Sequence, residues 1–340
     1  LLPAWITPGL FFWIISGYSE QKMTDQRERR EIVMDRMNRR QFIAHGTCLT
    51  IASLIFPWSL GADMDCRVAH PLSSPDPALR GRCPNCGMVQ SMWARTWKTF
   101  RLEDGRRDAC SFHCLADMAV KSGQAPQDVQ TALYLQPRGM VPAAAAWYVV
   151  GSSAGGTMTM LSKAAFLGRS AADDFARTCG GEVADYATTF QLARRALDKE
   201  NAMIDRKRLA KGKIVPPADM QDECVVCRMY PSRYPRHRCQ VAAKTGHIDH
   251  FCSTHCLFGW LSAPRNRLSK GDRSGMIWVT DYVSGRWISG STAYFVIGSG
   301  TIGPMGAEAI AFDRRDQAMA FARAEGGQVL AFEQVEAQSF

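Results

Sequence analysis

Apolar and polar positions change period several times along this chain, and the changes come in the same order twice. Met92–Phe100 is rich in aromatic residues and threonine, and Asp104-Gly105 follows shortly after. That combination predicts strand, turn, strand. From Ser111 to Val120 apolar side chains recur at helical spacing, and Ser122-Gly123 ends the run, which predicts a helix. Trp147-Tyr-Val-Val150 ahead of Gly151-Ser152 predicts a strand, Ser170–Thr178 a helix, and Gly180-Gly181 a turn into a final strand at Val183. The later part follows the same plan, with Tyr294–Ile297 ahead of Gly298-Ser299, then Pro304-Met305-Gly306, a helix near Asp316–Ala324, and Gly326-Gly327 ahead of Val329. The offset is 147 at Gly151/Gly298 and Met158/Met305, and 146 at Phe166/Phe312 and Gly180/Gly326. A whole structural plan is therefore duplicated. Between the copies, Leu192–Ala210 is helix-like and dense in Arg and Lys until Val215-Pro216-Pro217 breaks it. This basic segment reads as a linker with a solvated charged face.

The duplication is sharpest at cysteine. Cys83-Pro-Asn-Cys86-Gly-Met88 and Cys110-Ser-Phe-His113-Cys114 recur as Cys224-Val-Val-Cys227-Arg-Met229 and Cys252-Ser-Thr-His255-Cys256. The offset is 141 at Cys83/Cys224, Cys86/Cys227 and Met88/Met229, and 142 at Cys110/Cys252, His113/His255 and Cys114/Cys256. Thiolate with thioether suits Cu(I), whereas thiolate with imidazole suits zinc. A neutral thioether is a poor zinc ligand, so a Met two residues after a Cys in both copies favours copper. In an extended segment that spacing puts both sulfurs on one side. Cys110, His113 and Cys114 fall near a predicted helix N-terminus, where the dipole favours thiolate over thiol. Structural zinc stays open as an alternative, with Cys83, Cys86, Cys110 and Cys114, or His113 in place of one, closing a tetrahedron.

At 340 residues and 46% hydrophobic the chain can bury real cores. Its net charge of +9 would permit contact with nucleic acid or an anionic membrane. Part of the excess lies in the leader and linker, however, and no recognition-helix signature or aromatic-laced basic run is present. No nucleic-acid partner is expected. Of twelve cysteines, eight belong to the repeat. Cys48, Cys66, Cys179 and Cys239 are left without a role and read as buried small hydrophobes.

Residues 1–62 read as a leader. Leu1–Tyr18 is apolar but broken by Pro3, Pro8 and Gly9, so it is either a short membrane anchor or sequence upstream of a natural start at Met34 or Met37. The second reading is preferred. Asn38-Arg39-Arg40-Gln41-Phe42-Ile43, the apolar stretch Cys48–Phe56 and the small residues Ser59, Gly61 and Ala62 follow the order of an export signal. The arginine pair resembles the twin-arginine type, and no lipobox precedes Cys66. A periplasmic location follows as an expectation, with membrane association through the N-terminal segment.

Ile277-Trp-Val-Thr-Asp-Tyr-Val-Ser-Gly-Arg-Trp-Ile288, Ala293–Ile297, Pro304-Met305-Gly306, Ala311-Phe312 and Gly326-Gly327 resemble the NosL family of nitrous-oxide-reductase accessory proteins. The C-x2-C-x-M entry agrees, and the first half resembles the family through the repeat. The resemblance implies an α+β fold of two tandem NosL-like, organomercurial-lyase-like domains, each of paired ββαβ units with small separate sheets. The expected boundaries are 76–197, a linker at 198–219, and 220–340. It further implies a periplasmic Cu(I) carrier, not an enzyme, that supplies nitrous oxide reductase or its assembly machinery. Carried over by motif, the metal ligands are Cys227, Met229 and Met305, and through the repeat Cys86, Met88 and Met158, with Cys83 and Cys224 as ligands or resolving thiols. The first half departs by having Leu133-Tyr-Leu-Gln-Pro-Arg-Gly139 in place of the Val-Thr-Asp-Tyr-x-Ser-Gly hairpin and Thr157-Met158 in place of Pro-Met. Two further readings compete: periplasmic thiol redox chemistry at C-x2-C, and a lyase-like enzyme by fold analogy alone.

Overall fold

A computed structural model describes residues 66, 71–266, 268, 276–336 and 338; the leader reading, with Cys48 and the arginine pair, lies outside the described residues. The chain enters through a turn of helix, α1 (Gln90–Trp93), and a short 3-10 turn at Ala94–Thr96. It continues as β1 (Lys98–Leu102), β2 (Gly105–Ala109), α2 (Phe112–Ser122), β3 (Gln127–Ala132) and β4 (Met140–Pro142). Then come β5 (Ala146–Val150), β6 (Lys163–Leu167), α3 (Arg169–Cys179), β7 (Glu182–Ala184) and the long α4 (Tyr186–Ala210). The second half runs β8 (Cys239–Ala242), β9 (Ile248–Phe251), α5 (Thr254–Ser262), β10 (Ile277–Thr280), β11 (Trp287–Ser289), β12 (Tyr294–Ile297), β13 (Ile310–Phe312), α6 (Arg315–Glu325), β14 (Gln328–Ala331) and α7 (Phe332–Glu336).

The halves share one topology. Sheet order is β2-β1-β3-β4 with β6-β5-β7 in the first half, and β9-β8-β10-β11 with β13-β12-β14 in the second. The pairs are antiparallel throughout, as in β1 with β2 and β8 with β9. This is the expected α+β architecture of small separate sheets. Each half has a main core between its four-stranded sheet and α2 or α5, holding Trp97, Phe112 and Tyr148 in one case and Phe251, Phe258 and Phe295 in the other. A smaller core lies under α3 or α6. There Phe166 and Phe175 meet at 4.8 Å, and Phe312 and Phe321, the same positions in the repeat, at 5.0 Å. Such ring pairs contribute about 1 kcal/mol beyond their buried area.

Two expectations are corrected in the first half. Residues 92–96 are helical turns and the strand begins at Lys98. Strand propensity loses there because the Thr96 hydroxyl bonds the Cys110 carbonyl at 2.7 Å and the Thr157 hydroxyl at 2.8 Å. Cys179 is no spare small hydrophobe: it forms a disulfide with Cys66, with Cα atoms 5.3 Å apart. The altered 133–139 segment nevertheless keeps the hairpin. Leu133 N–H donates to Gly139 O at 3.1 Å, as Asp281 N–H donates to Arg286 O at 2.8 Å.

Helix α4 buries Thr189, Ala193, Leu197, Glu200 and Ile204, a stripe at helical spacing. The expected linker boundary at 198 therefore falls inside a helix whose inner face continues past it. Between the halves, Lys121 bonds Asp313 at 2.8 Å while also holding Asp117 of its own helix at 2.9 Å, Arg286 bonds Asp205 at 2.6 Å, and Ser291 Oγ donates to Pro84 O at 3.1 Å. Asp117 also accepts from Asn85 and Asn201. Although burial raises its pKa, Lys121, His113 and Asn201 outweigh that and hold it at about 2.

Gly181 and Gly327 start the last strand of each half with φ of +95° and +94°. A Cβ there would lie 2.7 Å from Val150 O and 2.5 Å from Ile297 O respectively. Gly327→Ala is therefore expected to lower stability by about 3 kcal/mol or more, combining left-handed strain with backbone overlap. Urea unfolding, with a midpoint shift and unchanged slope, checks this.

Candidate metal centre

In each half the C-x2-C-x-M segment folds into the same knuckle. Cys83 N–H donates to Met88 O at 2.9 Å and Gly87 N–H to Cys83 O at 2.8 Å; Cys224 N–H donates to Met229 O at 2.7 Å and Arg228 N–H to Cys224 O at 2.9 Å. The residue between Cys and Met must be left-handed for this turn, with φ of +78° at Gly87 and +66° at Arg228. Glycine takes that conformation freely, and arginine does so at a cost of about 1 kcal/mol.

The other two sulfurs of each site come from the start of α2 or α5. Cys110 and Cys252 end the strand hairpin, Ser111 and Ser253 are the N-caps, and Cys114 and Cys256 lie in the first turn. The Ser111 hydroxyl accepts from Cys114 N–H at 3.5 Å. Helix position thus aims thiols and dipole at one point. All four sulfurs of Cys83, Cys86, Cys110 and Cys114 lie within 4.8 Å of one another, as do those of Cys224, Cys227, Cys252 and Cys256. Hydrogen-bonded pairs among them are Cys86–Cys110 at 3.5 Å, Cys110–Cys114 at 3.6 Å, Cys227–Cys252 at 3.4 Å and Cys252–Cys256 at 3.7 Å. In each set three cysteines are buried and one, Cys86 or Cys227, reaches the surface.

Packing thiols this closely separates their protonation. At Cys224, hydrogen bonds from Cys252 and Cys256 outweigh burial and push the pKa far down. Cys83 goes the same way: burial opposes ionisation, but bonds from Cys110, Cys114 and Cys86 win. The donors pay the converse, since Cys252 is raised by its bond to Cys224, and Cys110 first by burial and then by its neighbours. One thiolate among thiols is the state a soft cation would meet, displacing protons as it binds.

The methionines pack on the same cores as the sulfurs. Met88 and Met158 pack on the core that contains Cys83, Cys110 and Cys114, and Met229 and Met305 on the core with Cys224, Cys252 and Cys256. Met88, Met158 and Cys86 line one cavity. Met158 holds φ of +56°, and Glu200 fixes the following residues by accepting from Thr159 Oγ1 at 2.5 Å and Met160 N–H at 3.1 Å. The same carboxylate bonds His113 Nδ1 at 2.9 Å, both side chains being 1% exposed. In the second half Glu308, three residues past Met305, pairs with His237 at 2.5 Å. The expected cysteines Cys83, Cys86, Cys224 and Cys227 are thus gathered in two clusters that Cys110, Cys114, Cys252 and Cys256 complete, and the expected Met88, Met158, Met229 and Met305 pack against the cores that hold them. The repeat marks all four by spacing, with Cys110 and Cys114 at a helix N-terminus, but as ligands the sequence offers only Cys110 and Cys114, in the zinc alternative. His113 is committed to Glu200, as a packed helix residue.

The halves also differ beside the cluster. Lys98 pairs with Ala109, the residue before Cys110, and Cys239 pairs with Phe251, the residue before Cys252. A buried lysine therefore stands in one copy where the other has a buried cysteine. The sequence singled out neither for this role. Lys98 Nζ lies 4.1 Å from the Phe112 ring centre and donates to Thr96 O at 3.1 Å.

Fold and site together define a tandem α+β protein that repeats one four-thiol knuckle, fit for a soft metal ion, in each half. The chain belongs to the NosL family, whose profile matches residues 78–189 and again 216–340. A copper-binding lipoprotein NosL from Stutzerimonas stutzeri is 35% identical over 120 residues, 34% of this chain and 62% of that protein. A copper-binding lipoprotein NosL from Achromobacter cycloclastes is 56% identical over 48 residues, 14% of this chain and 25% of that protein. The chain thus spans less than two thirds of either curated relative. The crystal structure of the copper chaperone NosL from Shewanella denitrificans aligns at 27% identity and a TM-score of 0.33, over 37% of this chain and 98% of that one.

Burial, the largest effect on Lys98, lowers its pKa to about 7. Unfolded, the amine returns to its ordinary value near 10.5, so between pH 7 and that value the unfolded chain holds one more proton and stability rises with pH. Lys98→Met should remove roughly 2 kcal/mol of this rise between pH 7 and 9. Urea unfolding of the reduced, metal-free protein and variant at both pH values measures the difference.

Proposed function

We propose that this chain is a Cu(I) carrier of the periplasm that takes copper at Cys86 with Met88 and Met158, and at Cys227 with Met229 and Met305. From there it passes the metal on for assembly of nitrous oxide reductase. One observation carries the reading: in both halves the sulfur left accessible is the cysteine two residues from a methionine. A thioether beside the entrance matters to Cu(I) and adds little for zinc. The names of the relatives support copper, and their description as lipoproteins supports export. The Cys66–Cys179 disulfide also fits an oxidising compartment. No helix among the described residues is long and apolar enough to cross a membrane.

A carrier must release its metal. One accessible sulfur with soft neighbours lets a partner's thiolate or imidazole enter before the last bond to the carrier breaks. His113 and Glu200 are buried and bonded to one another, and buried Glu308 bonds the half-buried His237, which suits holding loops in place and does not suit general-base work on a substrate.

Structural zinc keeps one observation in its favour. A zinc ion with Zn–S of about 2.3 Å needs sulfurs about 3.8 Å apart, and the hydrogen-bonded pairs, at 3.4 to 3.7 Å, would move little to accept it. Met229→Leu keeps volume and removes the thioether. Competition titrations should then show Cu(I) affinity falling about tenfold while zinc affinity barely moves; equal losses would favour zinc. In a strain lacking this chain, nitrous oxide reductase should be made and exported but short of copper, with added copper restoring part of it. A fully loaded reductase at low external copper would refute the delivery role.

A further inference from the structure

Among the described residues helix α4 has no equal in the second half. It spans 25 residues after β7, whereas α7 after β14 covers Phe332–Glu336. Its distal part helps enclose a 540 Å³ cavity that also includes Trp278 of the second half, a size that suits small ligands. The lining divides by chemistry. Cys86, Met88 and Met158 are there, and α4 adds a further thioether, Met203, that the repeat does not supply. Beside these sulfurs stand Lys207, Arg208, Lys211 and Lys213. Arg208 is engaged, bonding Asp205 at 3.1 Å and lying 4.6 Å over the Trp278 ring. The three lysines are exposed and make no ion pair among the described residues.

Soft sulfur ligands and a ring of cations are contradictory for a bare metal ion, since the lysines would repel Cu(I) from the ligands that want it. The contradiction disappears when copper arrives inside an anion. Cu(I) held by two thiolates carries one negative charge, and carboxylates on the thiols add more. A basic cavity attracts such a complex and raises its rate of capture. The strained φ of Met158 marks the same loop as built for a ligand.

We propose that this cavity is a loading vestibule for a Cu(I) complex of small carboxylate-bearing thiols, with Met203 as an added thioether in the transfer. The proposal rests on the carrier reading and names the form in which the first site receives its cargo. The two copper bonds to small thiolates are replaced one after the other, the first by a bond to Met203, Met158 or Met88 and the second by a bond to Cys86. One departing thiolate takes the proton of the Cys86 thiol and the other leaves as an anion. Copper stays Cu(I), no electron moves, and the negative charge that entered leaves with the freed thiolate.

The test uses the reduced, metal-free full chain and stopped-flow transfer of Cu(I) from two donors, the glutathione complex and the complex of cysteamine, a thiol with an ammonium group. Cys227→Ser isolates the first site, and Cys86→Ser the second as an internal control. On the Cys227→Ser background, Lys207→Glu with Lys211→Glu should slow transfer from glutathione on the order of tenfold without slowing transfer from cysteamine. Both lysines are exposed, so the reversal spares the core. Met203→Leu should slow the first site with either donor and leave the second unchanged. Unaltered glutathione rates in the charge-reversed protein, or no effect of Met203→Leu, would overturn the vestibule while leaving a carrier. If the unsubstituted chain drew no Cu(I) from either donor at equilibrium, the carrier reading would fall as well.

Discussion

Four thiols within 4.8 Å of one another, three of them shut away from solvent, are a demanding arrangement for a small α+β unit to hold. Each would lose a proton readily beside a cation and reluctantly beside another thiolate, so the cluster settles on one anion stabilised by its neighbours' S–H groups. The rest of each half serves that constraint. A left-handed residue closes the knuckle, a helix N-terminus supplies two more sulfurs, and the main sheet supplies a dry floor. The fold is consequently small-sheeted and hairpin-rich, with the helix that carries the sulfurs packed against its centre.

Duplication preserved this frame and altered what surrounds it. Lys98 stands at the position of Cys239, so one cluster is neighboured by a buried amine and the other by a buried thiol. Buried carboxylates on different elements, Glu200 on α4 and Glu308 in the loop before β13, take up the two histidines His113 and His237. The long α4 then ties the first half to the second, because Asp205 on it bonds Arg286 and Asn201 bonds Asp117. Asp117 in turn holds Lys121, which reaches Asp313. The halves are repeats in topology and unequal partners in charge.

Most of the architecture was legible in the sequence because the repeat supplied a second reading of every weak signal. The Gly-Gly turns at 180–181 and 326–327, the helices after Ser111 and near Asp316, and the strand at Tyr294 all lie where period and turn chemistry place them. The sulfur sets were legible as spacing. What escaped needed three dimensions. Nothing local tells that Cys179 meets Cys66 across 113 residues, or that Glu200, in a helix dense in Arg and Lys, turns inward to His113. Residues 92–96 were misread because tryptophan and threonine favour strands in isolation, and a hydroxyl bond to Cys110 O decided otherwise.

The disulfide has a mechanical consequence. It joins Cys66 to the last turn of α3, and Cys179 belongs to the small core of Tyr134, Phe166 and Phe175, separate from the core that holds the first cluster. Any tension delivered through the chain before Cys66 divides at that bond, and a large part enters the fold at α3. The stretch that leads on to Cys83 is itself stitched down, Leu72 N–H to Met92 O and Asp76 N–H to Ser91 O. A tether on the N-terminal side would therefore pull on α3 and the small core beneath it before it reached the knuckle that opens at Cys83.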